Sequence, residues 1–423
     1  MHRPIFHPRD ATGPTTRPSR RSQYALYAVG LLTDGQSDLI GLIIPLWAIA
    51  LGLGPLELGI LISAKGILPS LLAIHGGVLM DRYGTWLMLF LMGAACTLIP
   101  PLFAIVTWFP ALFLLQMALG LAMSFAWMGA QSLAIIVSRN DTVILGRFSF
   151  FARIGVMVAP VIAGALWDYA PHWVAFLAVA AAGAAYWQAV RLLPRAEIDG
   201  PPPTEHEKAK QPPFRFMDLM PRLSDYIGAI GLLVIPAVAY VVVVSSVRLG
   251  SALMQQSFYI VYLQEIGLQA TVIGLFIALS QALAAVGTLT AGRLVRWVHP
   301  NWVFLGSVSL SVFFVYSTPL YGDALAVLAV AIAIRGLCQG ISQPVMYNIL
   351  SLAVTRETQA TSIGLRQTGN RIATLTIPIL MGAIAEVWGL DATFYVTGLL
   401  LLTVCAVMGV WVALGKSVRK PSP

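Results

Sequence analysis

Long apolar stretches alternate with short polar breaks along the whole chain. A run of about 20 apolar residues is the length of helix that crosses a bilayer, and a helix suits hydrocarbon because it satisfies its own backbone hydrogen bonds. Twelve such runs are readable, near residues 25–50, 58–79, 86–106, 110–137, 148–167, 173–193, 237–264, 271–291, 301–321, 324–352, 363–386 and 392–414. An even number of crossings returns the chain to its starting side. The pattern predicts an all-α membrane protein with twelve transmembrane helices and both termini on one side.

The polar breaks sort by charge. The even-numbered connections and the tails hold Arg82, Arg139, Arg147, Arg191, Arg195, Arg293, Arg296, Arg356 and Lys416, among others. The odd-numbered connections hold no Lys or Arg and carry Glu57, Asp168, Glu265, Asp323, Glu386 and Asp391, in loops or at helix ends. Basic loops mark the cytoplasmic side. A multi-pass protein of a cytoplasmic (inner) membrane with both termini in the cytoplasm is expected. The polar, Arg-rich first 23 residues lack the apolar centre of a secretory signal and suit a cytoplasmic tail.

Residues 194–225 interrupt this rhythm with Pro201-Pro202-Pro203 and the charged run from Glu205 to Lys210. They read as a polar linker. Residues 226–236 are apolar again, and they read either as an interfacial helix or as a thirteenth span that would invert the charge bias. The expected organisation is a tail at 1–24, a six-helix bundle at 25–193, a linker at 194–236, a second bundle at 237–414 and a tail at 415–423.

The two halves match each other in register. A shift of 215 carries Gly35 onto Gly250, Gly52-Leu53 onto Gly267-Leu268, and Gly59 onto Gly274. A shift of 218 carries Arg153-Ile154 onto Arg371-Ile372, Pro160 onto Pro378, Gly164-Ala165 onto Gly382-Ala383, and Asp168 onto Glu386. Repeated apolar halves are how many secondary transporters are built, with a site between the halves near mid-membrane. The expected fold is therefore two pseudo-symmetric six-helix bundles.

Composition agrees and removes alternatives. Hydrophobic residues are 58% and charged residues 10% of the 423, against about 25% charged in soluble domains. The net charge of +8 follows topology, so no nucleic-acid partner is expected. Cys96, Cys338 and Cys405 lie inside apolar stretches and read as small core residues, with no disulfide or metal expected. No Walker loop, H-E-x-x-H or G-x-S-x-G string is present, so neither ATP hydrolysis nor any cofactor is expected. A membrane-embedded enzyme or a sensor is the alternative of a different class.

The string Gly77-Val78-Leu79-Met80-Asp81-Arg82-Tyr83-Gly84, between spans two and three, resembles the loop signature G-x-L-x-D-R-x-G of the major facilitator superfamily (MFS). In span five, Gly155-x-x-x-Ala159-Pro160-x-x-Ala163-Gly164 is similar to that superfamily's antiporter-type signature, with Ala at two Gly positions. Gly364-Leu365-Arg366-Gln367 resembles its span eleven. The second-half loop carries Arg296 where the signature has Asp, and Gln116 stands where drug/proton antiporters carry an Arg in span four. The resemblance implies the twelve-helix MFS fold, alternating access, and export of a drug or metabolite by proton antiport. On that reading Gly77, Asp81, Arg82 and Gly84, with Arg147, Arg153, Arg366 and Arg371 on the same side, form a gate. From the residues alone, Asp81 is either a conformational latch or a short-loop cap, and the small residues of span five allow close helix packing.

Ionisable groups inside spans cost about 2.5–3.5 kcal/mol each at a helix centre, so those that persist usually line a cavity, pair, or carry protons. Asp34 and Asp38 share one face of span one, being four residues apart. A repelling carboxylate pair is what proton coupling requires; fixed pairing with Arg248 or Arg335 is the other reading, and both stay open. Lys65, Gln116, Arg248, Gln255, Gln256, Tyr259, Arg335 and Gln339 are the substrate-cavity candidates, against a plain role as interhelical hydrogen-bonding groups. Arg153 and Arg371 either gate or meet an anionic substrate. The expected function is secondary active transport of a small organic solute, coupled to protons and outward, with uptake of an organic anion as the second reading. The expected partners are the solute, protons and the lipid bilayer, with the protein as a monomer.

Overall fold

The computed structural model describes residues 18–139, 141–199, 232–353 and 356–415 and, of residues 73–78, 81–82, 197, 232 and 356–361, the backbone alone. Every regular element among these residues is helical. The membrane helices are α1 (Arg20–Ala50), α2 (Pro55–Tyr83), α3 (Thr85–Leu98, continued by Pro100–Phe103), α4 (Phe109–Ser138), α5 (Thr142–Tyr169), α6 (His172–Arg191), α7 (Pro236–Gln256, continued by Phe258–Glu265), α8 (Ala270–Trp297), α9 (Pro300–Tyr316), α10 (Leu325–Ala353), α11 (Arg356–Trp388) and α12 (Leu390–Leu414). Eleven are long and apolar enough to cross a bilayer. The twelfth, α9, has 17 residues, or about 26 Å at about 1.5 Å per residue. The 3-10 turn Thr318–Tyr321 prolongs it. The chain is a multi-pass integral membrane protein.

The halves repeat their packing as well as their sequence. In the first, α1 packs on α5 and α6, α2 on α4, and α3 on α4 and α6. In the second, α7 packs on α11 and α12, α8 on α10, and α9 on α10 and α12. Each pairing has its counterpart six helices on. Between the halves, α5 packs on α8, α2 on α11, and α1 on the second segment of α7. Large side chains fill each bundle: Trp47 packs edge-on to Trp167 and Phe176 in the first, and Tyr240 against Phe304 and Trp411 in the second.

The charge sorting gives the molecule two faces. The acidic face holds Glu57, Asp168, Glu265, Asp323, Glu386 and Asp391; the basic face holds the Arg-rich helix ends. The halves meet toward the acidic face. A methyl group placed on Gly164 would strike the backbone of Ala270, and one on Gly274 the carbonyl of Pro160. The same holds for Gly59 against Pro378 and Gly382 against Pro55. Only hydrogen at these positions allows backbones this close. Toward the basic face the halves part: Gly146 and Gly364, repeat mates near the start of α5 and α11, meet nothing among the described residues within 4 Å.

Two local features differ from the sequence expectation. The string 77–84 was expected as a connection, but α2 runs to Tyr83 and Gly84 alone turns the chain, at φ +94. The side chains of Asp81 and Arg82, and the contacts of Gly77, lie outside the described residues. So do the tail segments 1–17 and 416–423, and the linker residues 200–231. The second difference is in α7, expected as one continuous span. It breaks at buried Ser257 (φ −123, ψ −97), whose hydroxyl donates to the carbonyl of Leu253 at 2.5 Å. Such back-bonding bends helices.

Candidate functional site

Between the halves lies a cavity of about 580 Å³, and the close glycine–backbone contacts between the halves shut it off from the acidic face. Its size suits a small organic molecule, since such sites run from about 300 to 1,000 Å³. Of the predicted residues, Asp38, Lys65, Gln116, Arg248, Gln255, Gln256, Arg335 and Gln339 line it. Arg153 and Arg371, expected on the basic side as gate or anion contacts, line it too. Asp34 stands one turn behind Asp38 on α1, within electrostatic reach of Arg153 and Lys65. Tyr259 is buried in the core of the second half and does not reach the cavity wall.

The first-half wall comes from α1, α2, α4 and α5. Lys65 donates to the hydroxyl of Ser37 at 2.9 Å. Asp38 is within electrostatic reach of Asp34 and Lys65, and its Oδ2 has no hydrogen-bond partner. The Oε1 of buried Gln116 has none either. This wall thus mixes carboxylates with bases and presents unpaired acceptors.

The second-half wall comes from α7, α8, α10 and α11. The Nε–H of Arg248 donates to Ser342 at 2.8 Å. Arg335 donates to Gln255, to Ser280 at 3.3 Å and to the carbonyl of Ser251 at 3.3 Å. The two arginines thus bridge α7 and α10 in opposite directions. Among the described residues within 4 Å, the sole ion pair is Arg195–Asp199, at 3.5 Å and away from the cavity. Among the described residues, Asp38 is the one acid lining the cavity, against five bases. The break of α7 falls beside Gln255 and Gln256 on the cavity wall.

The remaining gating candidates are spread over the basic face. Arg147 is exposed on α5. Arg366 is buried and stacks over the ring of Tyr347 at 5.5 Å. Gly84 sits against Asp199, whose carboxylate accepts from the backbone N–H of Trp86 at 3.1 Å.

One pair of carboxylates that joins the halves is missing from the candidates. Asp168, near the end of α5, accepts from the N–H of Ala270 at 3.0 Å and from the N–H and hydroxyl of Thr271 at 2.7 and 2.6 Å. Its repeat mate Glu386, near the end of α11, accepts from the N–H of Leu56 at 3.4 Å. Each carboxylate crosses between halves to cap the exposed N–H groups at the start of a helix, where the helix dipole favours negative charge. Their register match and their position on the acidic face were the available signals.

The sequence model of the Major Facilitator Superfamily matches residues 26–301 and 247–423. No curated protein matches the chain. Solved structures share the fold: the nucleoside transporter NupG, at 13% identity, aligns over 95% of this chain and 100% of its own with a TM-score of 0.74. An inward-facing bacterial homologue of the human lysosomal transporter Spinster, at 14% identity, covers 95% and 98% with a TM-score of 0.71. An inward-facing bacterial homologue of the iron transporter ferroportin, at 16% identity, covers 92% and 98% with a TM-score of 0.66.

Proposed function

Because the chain belongs to the major facilitator superfamily, and is in that sense a secondary transporter working by alternating access, we propose that it moves a small organic solute coupled to protons, outward by antiport across a cytoplasmic membrane. The observation that carries the coupling is the Asp34–Asp38 pair beside the cavity, with Lys65 and Arg153 in electrostatic reach. The excess of Lys and Arg on the face where the cavity opens supports placing that face in the cytoplasm. The conformation is then inward-open. Cargo and protons would exchange with the cytoplasm here, and with the far side once the acidic-face seams part.

The chemistry follows from charge balance. A carboxylate at Asp38 attracts Lys65; a carboxylic acid does not. Taking up or losing a proton therefore changes how firmly the first-half wall holds its bases, and with it the charge a cargo meets. The five basic residues on the cavity wall favour a second reading, uptake of an organic anion. The names of the neighbouring structures span nucleosides and iron, so likeness of fold selects no cargo.

The test is reconstitution in liposomes with an imposed pH gradient. Replacing both Asp34 and Asp38 with Asn is expected to abolish gradient-driven accumulation and leave solute exchange intact. Accumulation that survives both substitutions removes span-one proton coupling.

A further inference from the structure

We propose that the cargo carries an oxyanion, a carboxylate or phosphate, and that Arg335 and Gln255 receive it. The inference rests on the transport reading above and names the substrate class of that cavity. Arg335 lies in the middle of α10 and is 3% exposed. A guanidinium at such depth is costly unless an anion meets it. Among the described residues no carboxylate does: its partners are the neutral Gln255, Ser280 and Ser251, and its Nε–H has none.

The neighbouring amide completes the site. Arginine can only donate, so Gln255 must turn its oxygen to Arg335 and its Nε2 away. That Nε2 is buried and also has no partner. Two unsatisfied N–H donors, one of them charged, thus belong to adjacent side chains on the cavity wall. An oxyanion entering from the cavity would satisfy both with charge-assisted bonds once the two side chains turn these donors toward it. Arg248, two turns away on α7, adds a second positive charge to the same wall. The opposite wall presents unpaired acceptors, Asp38 Oδ2 and Gln116 Oε1. A cargo spanning the cavity would carry its anionic group toward the second half and O–H or N–H donors toward the first.

The test is thermal unfolding of the purified full-length protein in nanodiscs with matched probes: benzoate against benzamide, glucose 6-phosphate against glucose, and benzylamine as the cation. A ligand that binds only the folded state raises Tm. An acid is expected to raise it where its neutral partner does not, and the two acids separate carboxylate from phosphate recognition. Arg335→Gln should weaken that binding about tenfold or more, while Arg335→Lys keeps part of it. Gln255→Glu is the second variant. It places a carboxylate where the ligand's would sit, so it should raise the basal Tm and abolish the response to acids. Equal stabilisation by neutral or cationic probes, no response to either acid, or acid responses unchanged in Arg335→Gln and Gln255→Glu would overturn the assignment. An acid response that depends on Arg335 without proton flux leaves the anion site standing and removes the coupling. Proton-driven accumulation of an uncharged solute does the reverse.

Discussion

The two seams that close the acidic face occupy the same repeat positions and are built to different strengths. At the α5–α8 seam, Asp168 is half-buried and makes three hydrogen bonds to the first residues of α8. At the α2–α11 seam, Glu386 is exposed and makes one, at 3.4 Å. The helices they cap differ as well. α8 has no acid in its first turn and no side-chain cap, so Asp168 is its supplied negative charge. α2 already carries Glu57, which accepts from the N–H of Gly54 at 3.0 Å. A second carboxylate beside Glu57 meets like-charge repulsion and solvent screening, so its net contribution is small. The comparison teaches that pseudo-symmetry in backbone packing does not carry over to energy. One seam is the firmer contact, and the other is expected to release first when the halves rock.

The largest effect is expected from the contact both seams share, the glycine-to-backbone approach. Gly274→Leu must push a side chain into the carbonyl of Pro160 and toward the Cα of Val161, which a methyl group alone would approach to 3.1 Å. Backbone cannot yield as a flexible side chain can, and overpacking of this kind costs about 1–3 kcal/mol or more. The cost falls on the state in which the seam is closed. The expected outcome is loss of transport, with cysteines placed in the cavity becoming reactive to membrane-impermeant thiol reagents from the acidic face. Gly306→Leu, where nothing lies within 4 Å, should transport normally. Equal behaviour of the two variants breaks the claim that this seam must close.

A smaller shift is expected from Asp168→Asn. The change removes the charge and, because an amide nitrogen cannot accept, at least one of the three bonds. Hydrogen bonds to charged groups contribute about 1.5–3 kcal/mol, so the ratio of basic-face-open to acidic-face-open molecules should fall by about tenfold or more. Distances between spin labels on the acidic-face ends of α5 and α8 measure this directly. An unchanged distribution would place the seam's stability in the glycine packing alone.

What the sequence made legible follows from what membrane insertion demands. Apolar length, the sidedness of Lys and Arg, and the cost of buried charge are properties of single residues and short windows. They located the helices, the two faces and the charged groups that line the cavity. Contacts between distant residues were not legible in the same way. Asp168 and Glu386 were visible as repeat mates, but their partners lie 102 to 103 and 330 positions away, and nothing local points there. Helix breaks were equally hidden. Pro45, Pro69, Pro160, Pro344 and Pro378 sit inside continuous helices and α7 breaks at a serine, although α3 does break just before Pro100. Neighbouring helices absorb the groups that proline frees, so breaker residues are poor guides in a packed bundle. Arg153 and Arg371 show a third limit: their height in the membrane was readable, but the direction in which they face was not.

The smallest effect, and the sharpest test of the comparison, is expected from Glu386→Gln. The glutamine Oε1 can still accept from the N–H of Leu56, and losing the charge relieves repulsion with Glu57. The gain and the loss nearly cancel, leaving a shift within about 0.5 kcal/mol, as for most exposed ion contacts. Labels on α2 and α11 should report nearly the native distribution at low salt and at high salt alike. Asp168→Asn measured beside it should stand well outside that range. If Glu386→Gln opens the acidic face as far as Asp168→Asn does, the two latches are equal partners and the order of release drawn from their bonding is wrong. If Glu57→Gln then increases the effect of losing Glu386, the pair at the start of α2 shares one capping role, and the looser seam owes its weakness to that redundancy and not to exposure.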